Sequence, residues 1–256
     1  MDGALENGIA AFGLHLVRTS ALVVAAPFFA RIGFASFKVA LIVVLTGVSF
    51  SVSGTTSIEV SGLGTWGLYA LREFAIGFGL ALLLQVAMLA ARIGGELIGL
   101  EMGMQMGAQV DPESGVSTPL IARFYEEVLL IGMLAANGHH WVVRALADSF
   151  ERAPIGGLRL DVGIGTLFIA FFREMLTAGI AFVAPVIVLM SLVTVVVGLV
   201  ARTVPQINVL DLSFTLRIGV ALLGLVAFAP GLEVLVSGVL GALDEYLTAF
   251  LDLLAS

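Results

Sequence analysis

Met175–Ala201 reads MLTAGIAFVAPVIVLMSLVTVVVGLVA, 27 residues without one charged side chain. A helix that crosses the hydrocarbon of a bilayer needs about 20 apolar residues, with a workable range of about 17–25. The stretch meets that requirement with residues to spare. Phe74–Ala91 adds 18 more uncharged residues. Four further segments are apolar but less clean: Ile9–Ala30 (interrupted by Arg18), Val39–Val52, Phe124–Ala147 and Ile218–Leu243 (interrupted by Glu233). The pattern predicts an all-α membrane protein with about six long, partly broken apolar helices.

Composition agrees. Of 256 residues 59% are hydrophobic and 12% charged, against about 45–50% and about 25% in soluble domains. A water-facing surface would need many more charges. Asp2 and Glu6 precede the first apolar run where a cleavable signal would carry Lys or Arg, so no such signal is expected. Cysteine is absent, which excludes disulfides, thiolate metal sites and thiol chemistry. The net charge of −7, with no basic cluster, argues against nucleic acid.

Polar stretches divide the apolar runs. Ser49–Gly64 reads as a flexible loop. Gly94–Pro119 holds glycines, methionines and the acidic turn Asp111-Pro112-Glu113-Ser114-Gly115. Arg144–Gly165 contains the Ala153-Pro154-Ile155-Gly156-Gly157 turn, and Thr203-Val204-Pro205-Gln206 must break or kink a helix. With no repeat or low-complexity tract, one continuous domain is the simplest description. With six segments, Arg31, Lys38, Arg92, Arg123, Arg202 and Arg217 fall on one side and Arg144, Arg152 and Arg159 on the other, a modest orientation bias. Arg18, Arg72 and Arg173 lie in or beside apolar segments, which is costly unless they are paired. Glu73 and Glu174 follow two of them directly, but neighbours along a helix face different ways, so partners are expected on other helices.

The most unusual local sequence is Gly94-Gly95-Glu96-Leu97-Ile98-Gly99-Leu100-Glu101-Met102-Gly103-Met104-Gln105-Met106-Gly107. Gly95, Gly99, Gly103 and Gly107 recur every four residues and would leave one bare helical stripe. Such a stripe suits either a tight helix contact or a segment that bends, because each glycine costs a helix about 1 kcal/mol against alanine. Met102, Met104 and Met106 are unbranched and adaptable; they suit core packing or the sealing of an irregular opening. Glu96 and Glu101 are either proton-carrying intramembrane carboxylates or groups at a helix end that meet water or an Arg.

Enzyme signatures are missing: there is no His-Glu-x-x-His, Gly-x-Ser-x-Gly or Gly-x-x-x-x-Gly-Lys-Ser/Thr. Neither catalysis nor a cofactor nor a metal is expected. His139 and His140 should point in different directions on a helix, and Asn137-Gly138-His139-His140-Trp141 reads as a helix end with an interfacial Trp.

The stretch Gly94–Gly103 followed by Asp111-Pro112 resembles the signature of the FliR family of flagellar export-gate proteins, which has counterparts in virulence-type secretion systems. The resemblance continues along the chain. It takes in Ala26-Pro27 with Arg31 and Lys38, Glu73 with Gly77 and Gly79, and Asn137-Gly138-His139. It goes on through Pro154-Ile155-Gly156, Ala184-Pro185-Val186, and Arg202 with Pro205-Gln206-Ile207-Asn208. Departures are Glu101 for the family's usual Gln, Ala201 for Asn, and Leu210, Ser213-Phe214-Thr215 and Arg217 for Phe, Gly-Phe-Pro and Lys.

That resemblance implies helical hairpins, with residues 1–160 FliP-like and 161–256 FliQ-like. It implies assembly with FliP- and FliQ-like subunits, and association with FlhB- and FlhA-like components, in the bacterial inner membrane at the flagellar basal body. The pore so formed passes unfolded proteins. The family's plug loop falls on the Met104–Ser114 region, and with the reading of the residues this makes Met102, Met104, Gln105, Met106, Ala108, Gln109 and Val110 the expected pore plug, with Gly95, Gly99, Gly103 and Gly107 for hinge and close packing. Arg18, Arg72, Glu73, Glu96, Arg173, Glu174 and Arg202 are expected as subunit contacts or buried charge. The competing expectation from the residues alone is a self-sufficient proton-coupled transporter that uses Glu96 or Glu101.

Overall fold

A computed structural model describes residues 2–30, 34–53, 63–103, 120–156, 163–203 and 208–255. Every element among them is helical: α1 (Asp2–Ala25), α2 (Pro27–Ala30), α3 (Ala35–Ser53), α4 (Leu63–Glu101), α5 (Leu120–Ala135), α6 (Gly138–Arg152), α7 (Gly163–Thr203), α8 (Val209–Ala227) and α9 (Pro230–Ala255). The protein is an all-α membrane protein. Five of these helices, α1, α3, α4, α7 and α9, are long and apolar enough to cross a bilayer.

The expected segments differ from this in three places. Phe124–Ala147 is not one helix: Asn137 takes φ 60° and ψ 27° and separates α5 from α6. That left-handed conformation is one that Asn tolerates better than most side chains. Ile218–Leu243 is broken where α8 ends at Ala227 and α9 begins at Pro230. Proline has no N–H to give a preceding turn, and it fits the first position of a helix. For the same reason α1 stops at Ala25 and Pro27 opens α2. Residues 54–62, 111–115, 157–162 and 204–207, which hold most of the expected loop and turns, lie outside the described residues. The flanking helices α7 and α8 end at Thr203 and start at Val209 as the Pro205 break requires.

Two helices are far longer than one crossing. α4 has 39 residues and α7 has 41, so at about 1.5 Å per residue each runs for about 60 Å. The hydrocarbon layer is about 30 Å thick. Each helix therefore carries residues well beyond a single membrane passage.

The described residues group into two units. One comprises Met1–Ala87, Leu134–Phe172 and Gly241–Ser256; the other comprises Met88–Met133 and Arg173–Leu240. Each draws on both sides of residue 160. In the first unit Leu14 and Leu22 of α1 and Ile76, Leu80, Leu83 and Leu84 of α4 are almost fully buried. Phe250 of α9 lies 5.8 Å from Phe168 of α7 and nests on Gly79, where a Cβ would stand 2.7 Å from its ring. Gln85 Nε2 donates to the Ala25 carbonyl at 2.6 Å, satisfying the end of α1.

In the second unit Tyr125 of α5 meets Phe182 of α7 edge to face at 5.2 Å. Burial pushes the Tyr125 phenol up to about 12, so it stays neutral. An apolar groove of about 590 Å³ is lined by Glu174, Met175, Phe182, Pro185, Phe228 and Val234. Burial is uneven: 61% of the apolar stretch of α4 is buried within the chain, against 6% of that of α3 and 22% of that of α7. Among the described residues the last two therefore present largely uncovered apolar faces.

Candidate functional site

Two clusters collect the side chains that sequence singled out. The first lies in the first unit, where Arg18 and Glu73 are fully buried and Arg72 nearly so. Arg18 Nε donates to Glu73 Oε2 at 2.6 Å, and Nη2 pairs with the same oxygen. Nη2 also donates to the Ala153 carbonyl at 2.8 Å, and Nη1 to the carbonyl and Oγ of Ser149 at 2.7 and 3.1 Å. All five guanidinium N–H groups thus find acceptors. The ring of Phe150 lies 4.3 Å from the guanidinium carbon, within cation–π range.

The carbonyls chosen explain why a charge can sit here. Ser149 in the last turn of α6, and Ala153 and Pro154 just beyond it, present carbonyls at the negative end of the helix dipole, that of Ser149 also accepting from the Ala153 N–H at 3.0 Å. Arg18 caps two of them, and Arg72 Nη1 donates to Pro154 O at 3.2 Å and to Glu73 Oε1 at 2.9 Å. Two cations, one carboxylate and a helix C-terminus balance one another. The sequence expectation of partners on other helices holds for Glu73 with Arg18. It fails for Arg72 with Glu73, whose side chains bend together despite being neighbours.

His15, one turn before Arg18, was not assigned a place by sequence. It is buried, donates Nδ1–H to the Ala11 carbonyl at 2.9 Å and stacks on Phe150 at 4.6 Å. Ser149 was missed as well, because nothing in a lone serine marks it as an arginine acceptor. The rings of His139 and His140 lie 4.1 Å apart, not divergent as expected. Among the described residues no three His, Asp or Glu side chains gather as a metal site would require.

The second cluster surrounds the end of α4 in the second unit. A Cβ on Gly95 would stand 2.8 Å from the Ala122 nitrogen and 2.9 Å from the Ile121 carbonyl, so α5 lies backbone to backbone on α4. Gly94, outside the expected stripe, faces α7: its Cβ would stand 3.4 Å from the Gly179 carbonyl. Gly179 in turn has Ala90 against it, 2.5 Å from a Cβ to the carbonyl. Two consecutive glycines thus admit two different helices. Gly99 is buried.

Gly103 does not extend the helical stripe. It takes φ +75° and ends α4, with its N–H bonded to the Leu100 carbonyl at 3.0 Å. Met102 is 2% exposed and packs within the chain. Met104, Gln105, Met106, Gly107, Ala108, Gln109 and Val110 lie outside the described residues.

The remaining charges are exposed or half-buried. Arg92 Nε donates to Glu96 one turn on at 3.1 Å and stands 3.4 Å from Glu126 of α5. Arg173, Glu174 and Arg202 are exposed on α7. Arg217 of α8, noted in sequence for the orientation bias and as a departure but given no partner, donates to the Glu101 carbonyl at 3.0 Å. A lone cation in an apolar helix was the signal that could have found it.

Residues 9–243 match the family described as bacterial export proteins, family 1. The chain is 32% identical over 254 residues to the flagellar biosynthetic protein FliR of Pectobacterium carotovorum subsp. carotovorum, covering 95% of each chain. It is 31% identical over 255 residues to that of Bacillus subtilis (strain 168), again covering 95% of each. To that of Escherichia coli (strain K12) it is 30% identical over 186 residues, covering 70% of each. On a match that spans nearly its whole length, the chain belongs to the bacterial export proteins of family 1, the FliR family.

Proposed function

We infer that this chain is a subunit of the flagellar protein-export gate, acting in flagellum assembly. The observation that carries this is the family match from residue 9 to 243, which takes in both clusters. The gate sits in the bacterial inner membrane at the flagellar basal body. FliP- and FliQ-like subunits pack on the apolar faces that α3 and α7 leave uncovered, and FlhB- and FlhA-like components adjoin the complex. Unfolded flagellar proteins pass through the shared pore. The chain itself does no covalent chemistry.

Within that role the two clusters divide the work. The Arg18–Glu73–Arg72 group holds α1, α4 and the end of α6 as a rigid frame. The end of α4 carries the plug, residues 104–110, with Met104 and Met106 as its deformable seal. Arg173, Glu174 and Arg202, exposed on α7, are free to meet neighbouring subunits. A self-sufficient transporter finds little support: Glu96 lies at a half-exposed helix surface beside Arg92, not in a closed core.

Native mass spectrometry after co-expression with the FliP- and FliQ-like proteins of the same genome tests the reading. A defined complex containing this chain is expected. A stable lone monomer beside unbound candidates would overturn it.

A further inference from the structure

In the second unit one side chain from α8 reaches the last turn of α4. Arg217 Nη1 donates to the Glu101 main-chain oxygen at 3.0 Å, and Nη2 donates to Oγ1 of Thr194 on α7 at 3.0 Å. The Glu101 carboxylate stands 4.0 Å from Nη1, beyond hydrogen-bond reach. Arg217 Nε is buried and finds no acceptor among the described residues.

We propose that Arg217 is a releasable tether, a positioning residue that fixes the last turn of α4 to α7 and α8 and so sets where the chain leaves that helix at Gly103. The proposal rests on the reading of this chain as an export-gate subunit. The terminal carbonyls of a helix need outside donors. Those of Ile98 and Leu100 are taken by the N–H groups of Met102 and Gly103. The carbonyl of Glu101 is taken by Arg217, whose charge also suits a helix C-terminus. Phe214, three residues earlier on the same face of α8, has its ring 3.8 Å from where a Cβ on Gly103 would stand. One face of α8 thus covers both the capped carbonyl and the glycine that ends the helix.

Releasability follows from comparison with Arg18. That guanidinium is fully buried and has an acceptor for every N–H. The Arg217 side chain is 26% exposed, makes two hydrogen bonds and leaves Nε unpaired. Both bonds lie at the edge of this unit and not in its core, and rotation at Gly103 meets no Cβ clash.

The chain has no cysteine, so nitroxide labels on Leu100→Cys and Leu222→Cys, both half-exposed positions of this unit, report the spacing of α4 and α8 by electron–electron resonance on the full chain in detergent. A narrow distance distribution is expected for the parent. Arg217→Ala should at least double its width, Arg217→Lys and Thr194→Val should broaden it less, and Glu101→Gln should leave it narrow because the acceptor is main chain. A narrow distribution in Arg217→Ala, or equal broadening in Glu101→Gln, overturns the tether. In cells, Arg217→Ala should raise ion leakage at least threefold. Broadening without any change in leakage or export overturns the positioning role. Failure of the parent chain to restore motility to a deletion strain would instead sink the export-gate reading, which the distance measurement does not touch.

Discussion

Gly77 of α4 packs against the main-chain carbonyl of Arg18, one helical turn beyond Glu73 and on the same face of the helix. A Cβ there would stand 3.0 Å from the Arg18 carbonyl carbon and 3.1 Å from the Ala21 Cβ, and closer still to the carbonyl oxygen. The bare backbone lets α1 come near enough for the Arg18 side chain to reach Glu73. The expected result for Gly77→Ala is a loss of about 1–3 kcal/mol, because the obstacle is backbone and cannot swing aside. Gly67→Ala on the same helix, with nothing within 4 Å, should instead be neutral or gain up to about 1 kcal/mol. Denaturant titration in detergent micelles compares the two.

Removing the two partners of the buried pair separately should cost more in total than removing them together. Arg18→Met leaves Glu73 with one cation and the end of α6 without its cap, and Glu73→Gln leaves two arginines without a carboxylate. Each should destabilise by about 3–5 kcal/mol. Arg18→Met combined with Glu73→Leu should fall well short of the sum, the mark of coupled neighbours. Arg18→Lys should not rescue, since a single ammonium has three donors and no planar fork to span Glu73, Ser149 and Ala153. The same titrations decide, and additivity would show that the pair does not act as a unit.

The apolar runs made the helices legible because membrane solvent imposes a simple rule on composition, and Met175–Ala201 obeys it without exception. The break at Asn137 showed in Asn137-Gly138-His139-His140-Trp141, which reads as a helix end. The break at Ala229-Pro230 was less legible, because it turns on one residue's backbone preference inside a run that stays apolar. Arg18, Arg72 and Glu73 could be marked as charges needing partners, but their main acceptors are carbonyls at the end of α6, and a carbonyl leaves no trace in sequence. Glu101 and Arg217 were each visible as departures from family habit. That they meet depends on how α8 lies along α4, which no local pattern encodes.

Met102 separates packing from sealing. It is buried in the chain, so Met102→Ala should cost about 2–5 kcal/mol as a truncated core side chain. Met104→Ala combined with Met106→Ala is expected to leave stability near the parent and to let small ions through the closed pore. Thermal unfolding in detergent and a proton-leak assay in vesicles read the two effects separately. A tight membrane in the double variant would mean that these methionines do not seal.

Asn137 offers a test of backbone strain alone. At φ 60° a branched side chain is crowded by its own carbonyl, so Asn137→Val should cost about 1–2 kcal/mol. Asn137→Gly should be tolerated to within about 1 kcal/mol, because glycine enters this region freely. Equal losses in both variants, read by the same titration, would assign the position to its side chain instead.

The glycines at the end of α4 make the sharpest contrast, because neighbours in sequence face different obstacles. Gly95→Ala would place a methyl 2.8–2.9 Å from the nitrogen of Ala122 and the carbonyl of Ile121, and Gly179→Ala one 2.5 Å from the Ala90 carbonyl. In both cases helices must part, at about 1–3 kcal/mol even after the better helix propensity of alanine. Gly94→Ala meets the Gly179 carbonyl at 3.4 Å, an ordinary contact, so its stability should stay within about 1 kcal/mol of the parent. Gly103→Val fails for another reason: φ +75° holds no branched side chain comfortably, so it should cost about 1–2 kcal/mol. Titration of the four variants should rank Gly94→Ala apart from the rest. If Gly95→Ala were as stable as Gly94→Ala, the backbone contact between α4 and α5 would not exist as described, and the hold on the end of α4 would have to come from its contacts with α7 and α8.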